Sequence, residues 1–503
     1  MAPDTQLIGQ LAPLRARKGE RRTTGLDDAT VLRFAASHPD LGAAVAAAAA
    51  EFARVEADAS VRDLLDLDEE AQIAAVQADF VNFYPQDAVN PYVALAARGP
   101  WVVTLKGAVL YDTGGYGMLG FGHAPQAVLD AMAKPQALAN IMTPSLSQLR
   151  FTRALRNEIG HSRKDGCPYA KFMCLNSGSE SVSLAARIAD TNTKLMTDPG
   201  AKHAGRKVKR LVVKGSFHGR TDRPALYSDS SRKTYLKFLA SYRGEESVIA
   251  IEPYDLAALR KAYADADANG WFIEAMFLEP VMGEGDPGRS VPVEFYAAAR
   301  ELTKAHGSLF LVDSIQAGLR AAGCLSIVDY PGFEGQEAPD METYSKALNA
   351  GQFPLSVLAT NERAAAIYAR GTYGNTMTAN PRGLDVACAV LAQLTPALRA
   401  NIRDRGREAI AGLEALKSEL GGLITKVQGT GLLFSCELAP QFKGYGAGST
   451  EEWLRERGLG VIHGGENSLR FTPHFGIGAD ELQLVLQLVK QALLEGPRQQ
   501  QAA

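Results

Sequence analysis

The chain has 503 residues, enough for two or three domains of ordinary size with a large buried core. Hydrophobic residues make up 46% and charged residues 22%, a composition typical of a globular enzyme that argues against widespread disorder. The 53 basic and 56 acidic residues leave a formal net charge of -3, so nothing in the composition indicates a nucleic-acid or anionic-membrane partner.

Five cysteines are scattered along the chain without a CxxC pair, which argues against a zinc or redox site and indicates buried thiols in a reducing compartment. The longest early apolar run, Ala43 to Ala50, is too short to cross a bilayer. The N-terminus lacks the basic, apolar and small-residue order of a secretory signal. We therefore expect a cytoplasmic protein without a metal site.

The first 78 residues form an N-terminal extension with two parts. Residues 1 to about 24 are polar and become basic, and we expect a solvated, partly ordered tail, the alternative being an arm that binds an anion or a neighbouring subunit. From Asp27 to Ala78 the apolar residues recur at helical spacing, interrupted at Pro39 and Gly42. This pattern predicts two or three helices.

Residues 79–150 combine a predicted hairpin with a glycine-rich segment. The stretch WVVTLKGAVLYD is rich in β-branched and aromatic residues and predicts two strands joined at Lys106 and Gly107. The segment Gly114 to His123, GGYGMLGFGH, places glycines between apolar residues, a composition too apolar for a flexible loop. It predicts close approach of the backbone to a ligand or to other backbone.

Strands alternate with helices from Lys171 onward. KFMCLNSGSE, RLVVKGSFHGRT, MFLEPVMGEGD and LFLVDSIQAGLR are each an apolar strand that ends in a polar loop. This alternation predicts a mostly parallel sheet with ligand-binding loops at its carboxyl edge. After about Thr395 the pattern changes to a smaller α+β domain. The predicted divisions are 1–78, 79–150, 151–394 as the large domain, and 395–503.

Lys346 lies in an unusual setting for a lysine. The segment DMETYSKALNAGQFPLS surrounds it with small residues, which leave room for a bulky group beside the amine. A lysine held in a cavity can form a Schiff base with a carbonyl cofactor. Taken alone, the segment favours a lysine on a solvated turn, and the judgement depends on the other strand ends.

The strand ends carry groups that suit a phosphorylated aromatic cofactor. Ser177, Gly178 and Ser179 precede a helix, where backbone N–H groups can hold a phosphate, although Ser179 and Glu180 could equally form an ordinary helix cap. Asp313 ends an apolar strand, where a carboxylate needs a partner such as a pyridinium nitrogen; the alternative is a cap of the next helix.

Two further side chains fit the same cofactor. Gln316 follows Asp313 by three residues and is placed to bond a phenolic oxygen of the ring. Phe217, on the neighbouring loop, is placed to cover the ring face.

The ordered series NSGSE, FHGRT, EPVMGEG, DSIQAG, SKAL and TYGN resembles the class III aminotransferases of the ornithine, acetylornithine and 4-aminobutyrate type. The resemblance covers roughly Asn82 to Glu495. It implies the fold of the type I transferases that depend on pyridoxal 5'-phosphate: a large α/β domain with a mostly parallel sheet of the seven-stranded type, and a smaller α+β domain.

The resemblance also implies roles for individual residues. Lys346 would bind the cofactor covalently and move the proton, Asp313 would pair with the ring nitrogen, and Gln316 with the phenolic oxygen. Gly178 and Ser179 would hold the phosphate, and Phe217 would stack on the ring. Thr372 would reach the phosphate of the other subunit, which implies a homodimer with shared active sites.

Five residues are implied to bind the substrate: Tyr84, Tyr116, Arg220, Glu284 and Arg470. Arg220 would grip a substrate carboxylate. Glu284 would neutralise Arg470 for one substrate and release it for the second carboxylate of glutamate or 2-oxoglutarate. The implied reaction is a ping-pong transfer from an amino acid with a distal amine to 2-oxoglutarate, with a simple α-amino acid or a diamine as other possible donors.

The chain departs from the family pattern in four places. Ser314 stands where the family usually has glutamate after the aspartate, and TYGN has one glycine fewer than usual. The segment between Asp313 and Lys346 is longer, and the N-terminal extension is additional. An aminomutase, an amino-acid epimerase, a decarboxylating transaminase or a catalytically silent scaffold remain alternatives, and Gln316 counts against the aminomutase.

Overall fold

The computed structural model describes residues 3–137 and 141–499. Within it the chain forms two compact units. Unit 1 extends to Pro125 and includes Arg407–Val427 and the segment from Phe434 onward. Unit 2 consists of Gln126–Gly406 and Gln428–Leu433.

The α-helices of the described residues, in chain order, are α1 Pro3–Arg15, α2 Asp28–Ala35, α3 Pro39–Ala57, α4 Glu69–Gln77, α5 Gln126–Ala133, α6 Leu146–Glu158, α7 Gly178–Thr197, α8 Asp222–Tyr227, α9 Arg232–Phe238, α10 Leu256–Ala268, α11 Val293–His306, α12 Glu362–Ile367, α13 Pro381–Leu391, α14 Pro396–Glu419, α15 Thr450–Glu456 and α16 Ala479–Glu495.

The strands are β1 Ala94–Arg98, β2 Trp101–Thr104, β3 Val109–Asp112, β4 Lys171–Leu175, β5 Lys207–Val213, β6 Val248–Ile251, β7 Trp271–Leu278, β8 Leu309–Asp313, β9 Met341–Tyr344, β10 Ser356–Thr360, β11 Ile424–Thr430, β12 Leu433–Leu438, β13 Leu459–Gly460, β14 Ile462–Gly464 and β15 Ser468–Phe471.

A seven-stranded sheet organises unit 2. Its order is β4-β10-β9-β8-β7-β5-β6. The pairs β9–β8, β8–β7, β7–β5 and β5–β6 are parallel, whereas β10 runs antiparallel to both of its neighbours. Helix α7 packs on this sheet through Val182, Leu184 and Ala185, part of a core that includes Phe277 and Leu311. The predicted mostly parallel sheet is confirmed.

Two four-stranded sheets carry the strands outside unit 2's large sheet, with orders β1-β2-β3-β13 and β11-β12-β15-β14. The predicted hairpin is present: β2 and β3 pair antiparallel, and Gly107 in their turn has a φ of 73°. In the glycine-rich segment, a Cβ on Gly120 would lie 2.5 Å from the Phe475 ring. The glycines therefore allow the close packing that the sequence predicted.

The prediction of a solvated N-terminal tail is wrong. Residues from Pro3 to Arg15 form α1, in which Leu11 and Leu14 are fully buried. Arg15 donates to the carbonyl of Gly107, 3.0 Å away, and to Asp28. The helix forms because its few leucines recur on one face and the hairpin turn offers them a surface to cover.

The helical extension that follows α1 is as predicted, with one difference. Helices α2, α3 and α4 lie between Asp28 and Gln77. Pro39 begins α3, where its missing N–H costs nothing, but Gly42 lies inside this helix rather than breaking it. Helix α3 packs on β1 and β2, so the extension is a structural part of unit 1.

All five cysteines are free thiols; Cys324 and Cys436 are buried and the others are partly buried. Among the described helices, none has both the length and the apolar character needed to cross a membrane.

Candidate active site

Four neighbouring strands of unit 2 deliver the candidate residues to one edge of the sheet. Strand β9 leads into Lys346, β8 ends at Asp313, β7 is followed directly by Glu279, and β5 leads into the loop of Phe217. Because these strands are parallel, their carboxyl ends share an edge. Ser177 follows β4 at the same edge and is tied to β10 by Ser356, whose hydroxyl donates to the Ser177 carbonyl at 2.6 Å.

The turn before α7 is a capping box. The Ser177 hydroxyl accepts from the Glu180 N–H at 3.3 Å, and the Glu180 carboxylate accepts from the N–H groups of Asn176 and Ser177 at 2.8 and 3.0 Å. The cap is therefore formed by Ser177 with Glu180, and the alternative that named Ser179 as the cap residue is wrong. The cap fixes the start of a 20-residue helix, whose first N–H groups point outward toward any anion.

Glycines bring the neighbouring loops against this turn. A Cβ on Gly178 would lie 2.6 Å from Cδ1 of Ile315, which belongs to the loop after β8. Gly219, with a φ of +105°, would place a Cβ 2.6 Å from the Ser179 hydroxyl. Side chains at both positions would push the loops apart, so the glycines allow the loops after β5 and β8 to pack against the start of α7.

Gln316 packs on another glycine of the same edge. A Cβ on Gly283 would lie 2.3 to 2.5 Å from the atoms of the Gln316 amide, and one on Gly285 would lie 2.3 Å from the carbonyl of Gly215. The loops after β5, β7 and β8 are therefore interlocked through contacts that only glycine permits.

Asp313 is paired with a buried histidine. The Nδ1 atom of His218 lies 2.8 Å from Oδ2 of Asp313, and the other carboxylate oxygen accepts from the Ile315 N–H at 3.1 Å. An ionised Asp313 can only accept, so Nδ1 carries the proton of this bond. Both side chains are at least 96% removed from solvent, and Nε2 of His218 is buried without a hydrogen-bond partner. The predicted alternative, a simple helix cap, does not account for this pair.

A second carboxylate lies at the end of β7. Glu279 is buried and accepts from the N–H groups of Phe217 and Gly283, each at 2.9 Å. Burial raises its pKa to about 7, with a further rise from nearby Asp313 and an opposing effect of His218 and the two N–H groups. Two carboxylates with one imidazole make this part of the edge a favourable environment for a buried cation.

The turn that carries Lys346 is fixed and strained. Lys346 has a φ of 47°, a conformation that costs a non-glycine residue energy, and it begins a short 3-10 turn to Asn349. The carbonyl of Leu355 accepts from the hydroxyl of Ser345 and the amide of Asn349, both at 2.8 Å. The half-buried lysine is thus held by its neighbours on both sides.

Phe217 and Arg220 form a stacked pair. The guanidinium carbon of exposed Arg220 lies 4.7 Å from the centre of the half-buried Phe217 ring. The stacking holds the guanidinium at the edge of the sheet. Glu284 lies half-buried in the loop after β7, in the same unit.

Thr372 lies on the exposed TYGN loop and donates to the carbonyl of Ala369 at 2.6 Å. The loop is anchored to the capping box through Asn375, which accepts from the Asn176 amide at 3.1 Å and donates to Glu180 at 2.8 Å. Although it has one glycine fewer than the family pattern, the loop therefore docks on the start of α7.

Three predicted substrate residues come together in unit 1. The rings of Tyr84 and Tyr116 stack with centres 5.9 Å apart, and the guanidinium of fully buried Arg470 lies 5.4 Å from the Tyr116 ring centre. Burial raises the pKa of Tyr116 above its usual range. A cavity of about 310 Å³ beside this stack is lined by Tyr84, Tyr116 and Arg455, among others. The predicted pairing of Arg470 with Glu284, a residue of unit 2, stays a prediction.

The carboxyl edge of unit 2 fits pyridoxal phosphate. An anionic phosphate suits the start of α7, and a protonated ring nitrogen suits a buried carboxylate such as Asp313. Lys346 supplies an amine two residues after the end of β9, the strand next to β8. The individual roles of these residues, and of Ser177, Gly178, Ser179, Phe217, Gln316 and Thr372, stay predictions.

His218, Glu279 and Asn375 were not predicted from the sequence. Glu279 ends the apolar strand MFLE just as Asp313 ends LFLVD, so the same signal was present. His218 directly follows Phe217 in FHGRT. The contacts of Asn375 depend on loop packing across almost 200 residues, which leaves no local signal.

Comparison with known proteins identifies the family. Residues 83–493 match the family model described as "Aminotransferase class-III". Acetylornithine aminotransferase of Neisseria meningitidis serogroup B is 28% identical over 82% of this chain and 96% of its own length. Ornithine aminotransferase of Brevibacillus brevis is 29% identical over 82% of this chain and 95% of its own length.

A solved structure agrees with the fold. Ornithine aminotransferase from Toxoplasma gondii ME49 has a TM-score of 0.72 at 23% identity and covers 86% of this chain and 97% of its own. The fold implied by the resemblance is therefore confirmed. The chain belongs to the class-III aminotransferases and is a transaminase that uses pyridoxal 5'-phosphate.

Proposed function

We propose that this transaminase moves an amino group from an amino acid with a distal amine, of the ornithine, lysine or 4-aminobutyrate kind, to 2-oxoglutarate by a ping-pong mechanism. Two relatives are named acetylornithine and ornithine aminotransferases, and both names describe substrates with an amine at the far end of the chain. A cytoplasmic location is part of the proposal.

The stack of Tyr84, Tyr116 and Arg470 is the observation that carries this proposal. A guanidinium that is 1% exposed and lies against an aromatic ring is a strong site for a carboxylate, because it forms bidentate bonds away from water. A dicarboxylate acceptor has a second carboxylate to place there. The tyrosine rings offer apolar walls to a methylene chain and hydroxyl groups to its polar end.

In the proposed reaction the Nζ atom of Lys346 would take a proton from the substrate carbon and pass it to the cofactor carbon, and in the second half reaction it would move a proton in the reverse direction, to the acceptor carbon. When bound, pyridoxal phosphate supplies the electron sink that makes this carbon acidic and carries the amino group between the two halves. Asp313, oriented by His218, keeps a positive charge stabilised at the ring nitrogen position.

Arg220 is proposed to bind the carboxylate next to the reacting carbon, since its stacking on Phe217 holds the guanidinium beside the residue assigned to the ring face. Glu284 is proposed to neutralise Arg470 when the substrate end is uncharged or cationic. This arrangement would let one enzyme accept both a distal amine and a distal carboxylate.

A homodimer is also proposed. Large apolar side chains are exposed in two segments, Phe80–Phe83 in unit 1 and Ile141–Leu149 in unit 2, and Met377 is exposed near Thr372. Apolar surface of this extent is typical of an interface between subunits. Light scattering on the purified holoenzyme tests this part by mass, and about 108 kDa is expected as twice the chain mass of 53.8 kDa.

The substrate proposal is tested by supplying holoenzyme with a panel of donors and either 2-oxoglutarate or pyruvate, while the formation of glutamate or alanine is measured. Ornithine, N-acetylornithine, lysine and 4-aminobutyrate are compared with alanine and with simple monoamines. The leading donor is expected to carry a distal amine, and initial rates at several acceptor concentrations should give parallel double-reciprocal lines. Preference for pyruvate with monoamines would overturn the substrate assignment and leave the transaminase chemistry intact.

The same panel separates the other reactions of this cofactor. An epimerase would change the optical rotation of a donor without an acceptor, an aminomutase would give an isomeric amine, and a decarboxylating transaminase would release carbon dioxide. A catalytically silent scaffold would give no product with any pair.

A further inference from the structure

Strand β9 contains a buried carboxylate directly beneath the turn that carries Asp313. Glu342 is 0% exposed and lies opposite Val312 in the parallel pairing of β8 with β9, one residue before the pair of Asp313 with Thr343. A carboxylate in the middle of a sheet is costly unless its oxygens are hydrogen-bonded.

The Glu342 carboxylate accepts four hydrogen bonds. Oε1 accepts from the Ser314 hydroxyl at 2.6 Å and from the Ile327 N–H at 2.9 Å. Oε2 accepts from the Tyr169 hydroxyl at 2.6 Å and from the Ser326 hydroxyl. Four donors match the lone pairs of an ionised carboxylate.

One of these donors belongs to the turn of Asp313. Ser314 follows Asp313 directly, and its N–H donates to the Thr343 carbonyl at 3.0 Å, while its own carbonyl accepts from Gly318 at 2.7 Å. Its side chain, its N–H and its carbonyl are therefore all fixed. The residue next to Asp313 therefore has no carboxylate of its own and contacts one from the adjacent strand.

We propose that Glu342 is a positioning residue for Asp313: its carboxylate, on β9, binds the Ser314 hydroxyl and so fixes the turn that carries Asp313. This proposal deepens the proposed function, because it rests on the role given there to Asp313. Neighbouring side chains of a strand point to opposite faces, so β9 also fixes the other side of the site: the hydroxyl groups of Thr343 and Ser181 lie 2.5 Å apart, and Ser181 belongs to α7.

The direct test compares two serines that donate to the same carboxylate. Ser314→Ala removes the bond to the Asp313 turn, whereas Ser326→Ala removes a bond to the other oxygen and leaves the turn bonded. In holoenzyme, the pH midpoint of the cofactor's visible absorbance reports the charge near its ring. We expect Ser314→Ala to shift this midpoint by about one pH unit and Ser326→Ala to leave it within about 0.2 units.

A second test moves the carboxylate from Glu342 on β9 to position 314 in the turn of Asp313. Glu342→Ala should lower kcat on the order of 10²-fold with a small change in KM, because a displacement of about 1 Å at a catalytic group has an effect of this size. Adding Ser314→Glu in the double variant S314E/E342A should restore kcat at least about tenfold and return the absorbance midpoint toward the wild-type value. Purely structural damage to β9 would not be repaired by a carboxylate placed in the turn after β8.

Equal midpoint shifts for Ser314→Ala and Ser326→Ala, or no gain in the double variant over Glu342→Ala, would overturn the proposal. If Glu342→Ala does not fold, the serine pair alone decides. The absorbance midpoints are measured without turnover. A wild-type enzyme that binds the cofactor but does not transaminate would therefore contradict the proposed function, while the midpoints of the variants would still test the role of Glu342.

Discussion

The two edges of the seven-stranded sheet in unit 2 differ in how their buried carboxylates are paired. At the amino edge, Asp340 precedes β9 and is fully buried, but it accepts from Arg300 at 2.9 Å, from the Phe310 N–H at 3.0 Å and from Asn361 at 3.0 Å. At the carboxyl edge, the carboxylates of Asp313 and Glu279 lie near each other and share one imidazole, His218.

His306 and His218, one at each edge, differ in the hydrogen bonding of their Nε2 atoms. His306, at the amino edge, accepts from the Ile273 N–H through Nε2 at 3.1 Å and stacks on Phe272 with ring centres 5.3 Å apart. His218, at the carboxyl edge, has a buried Nε2 without a hydrogen-bond partner. Asp340 and His306 thus have polar partners within the protein, whereas the carboxyl edge combines two carboxylates with one imidazole and is suited to a cation and hydrogen-bonding groups that a ligand brings.

Lysine substitutions should separate the edges most clearly. Lys346→Ala should lower turnover at least about 10³-fold, since the proton transfer depends on the amine, while the folded protein still binds pyridoxal phosphate. Lys304→Ala, on α11 beside the amino edge, removes an exposed pair with Glu337 and should leave turnover unchanged. Steady-state rates with the best donor measure both variants, and wild-type-like transamination by Lys346→Ala would contradict the central assignment.

Aspartate substitutions should have opposite consequences at the two edges. Asp313→Asn should lower kcat by about 10²- to 10³-fold while cofactor is retained, because the negative charge at the ring nitrogen is lost but the phosphate contacts persist. Asp340→Asn should leave kcat within about twofold and lower the free energy of unfolding by about 3 kcal/mol, because it breaks a buried pair with Arg300. Near-normal rates in Asp313→Asn would show that the aspartate does not serve the ring nitrogen.

Arginines extend the comparison to the substrate. Arg220→Ala should raise the KM for carboxylate-bearing substrates on the order of 10²-fold, the effect of losing a charge-assisted pair of about 1.5–3 kcal/mol. Arg363, at the amino edge, donates to the carbonyls of Ser308 and Gly307 at 3.2 and 2.9 Å. Its alanine variant should reduce the thermal midpoint and leave KM unchanged. Equal KM values for wild type and Arg220→Ala would remove Arg220 from the substrate site.

The sequence carried most of the information about the carboxyl edge. Asp313 stands out because it ends an apolar strand, where a carboxylate requires a partner, whereas Lys346 is identified only together with the other strand ends. Glu279 carries the same signal as Asp313, since it directly follows the apolar residues of β7. The parallel sheet followed from the strand and helix alternation, which each segment displays locally.

What could not be predicted depends on residues distant in the chain. Helix α1 contains Pro13 and few leucines, and its burial depends on a hairpin turn about 90 residues away. Glu342 lies in METY, where a glutamate resembles the polar residue of an alternating strand. Its donors Tyr169 and Ser326 come from other segments, so only the folded chain shows a satisfied carboxylate. For both α1 and Glu342, tertiary contacts rather than the local sequence pattern determine the structure.

The smallest expected effect, and the most specific one, is an opposite pH dependence of stability at the two edges in cofactor-free protein. Burial raises the pKa of Glu279 to about 7 from an ordinary 4.5, so between these values the folded protein holds a proton that the unfolded chain has released. Its contribution to the free energy of unfolding is present below pH 4.5 and is lost as the pH rises through 7. The total loss is on the order of 3 kcal/mol.

For His306, burial lowers the pKa to about 4 from an ordinary 6.5, so the unfolded chain takes up its proton first as the pH falls. Its contribution to the free energy of unfolding is complete above pH 6.5 and is lost as the pH falls toward 4. The loss is on the order of 1–2 kcal/mol, because the ring is only partly shielded from water. Urea unfolding from pH 4.5 to 7 measures both effects. Glu279→Gln should gain stability relative to wild type as the pH rises, and His306→Gln should gain it as the pH falls. Difference curves of the same sign would mean that the two edges do not differ in the way their buried charges indicate.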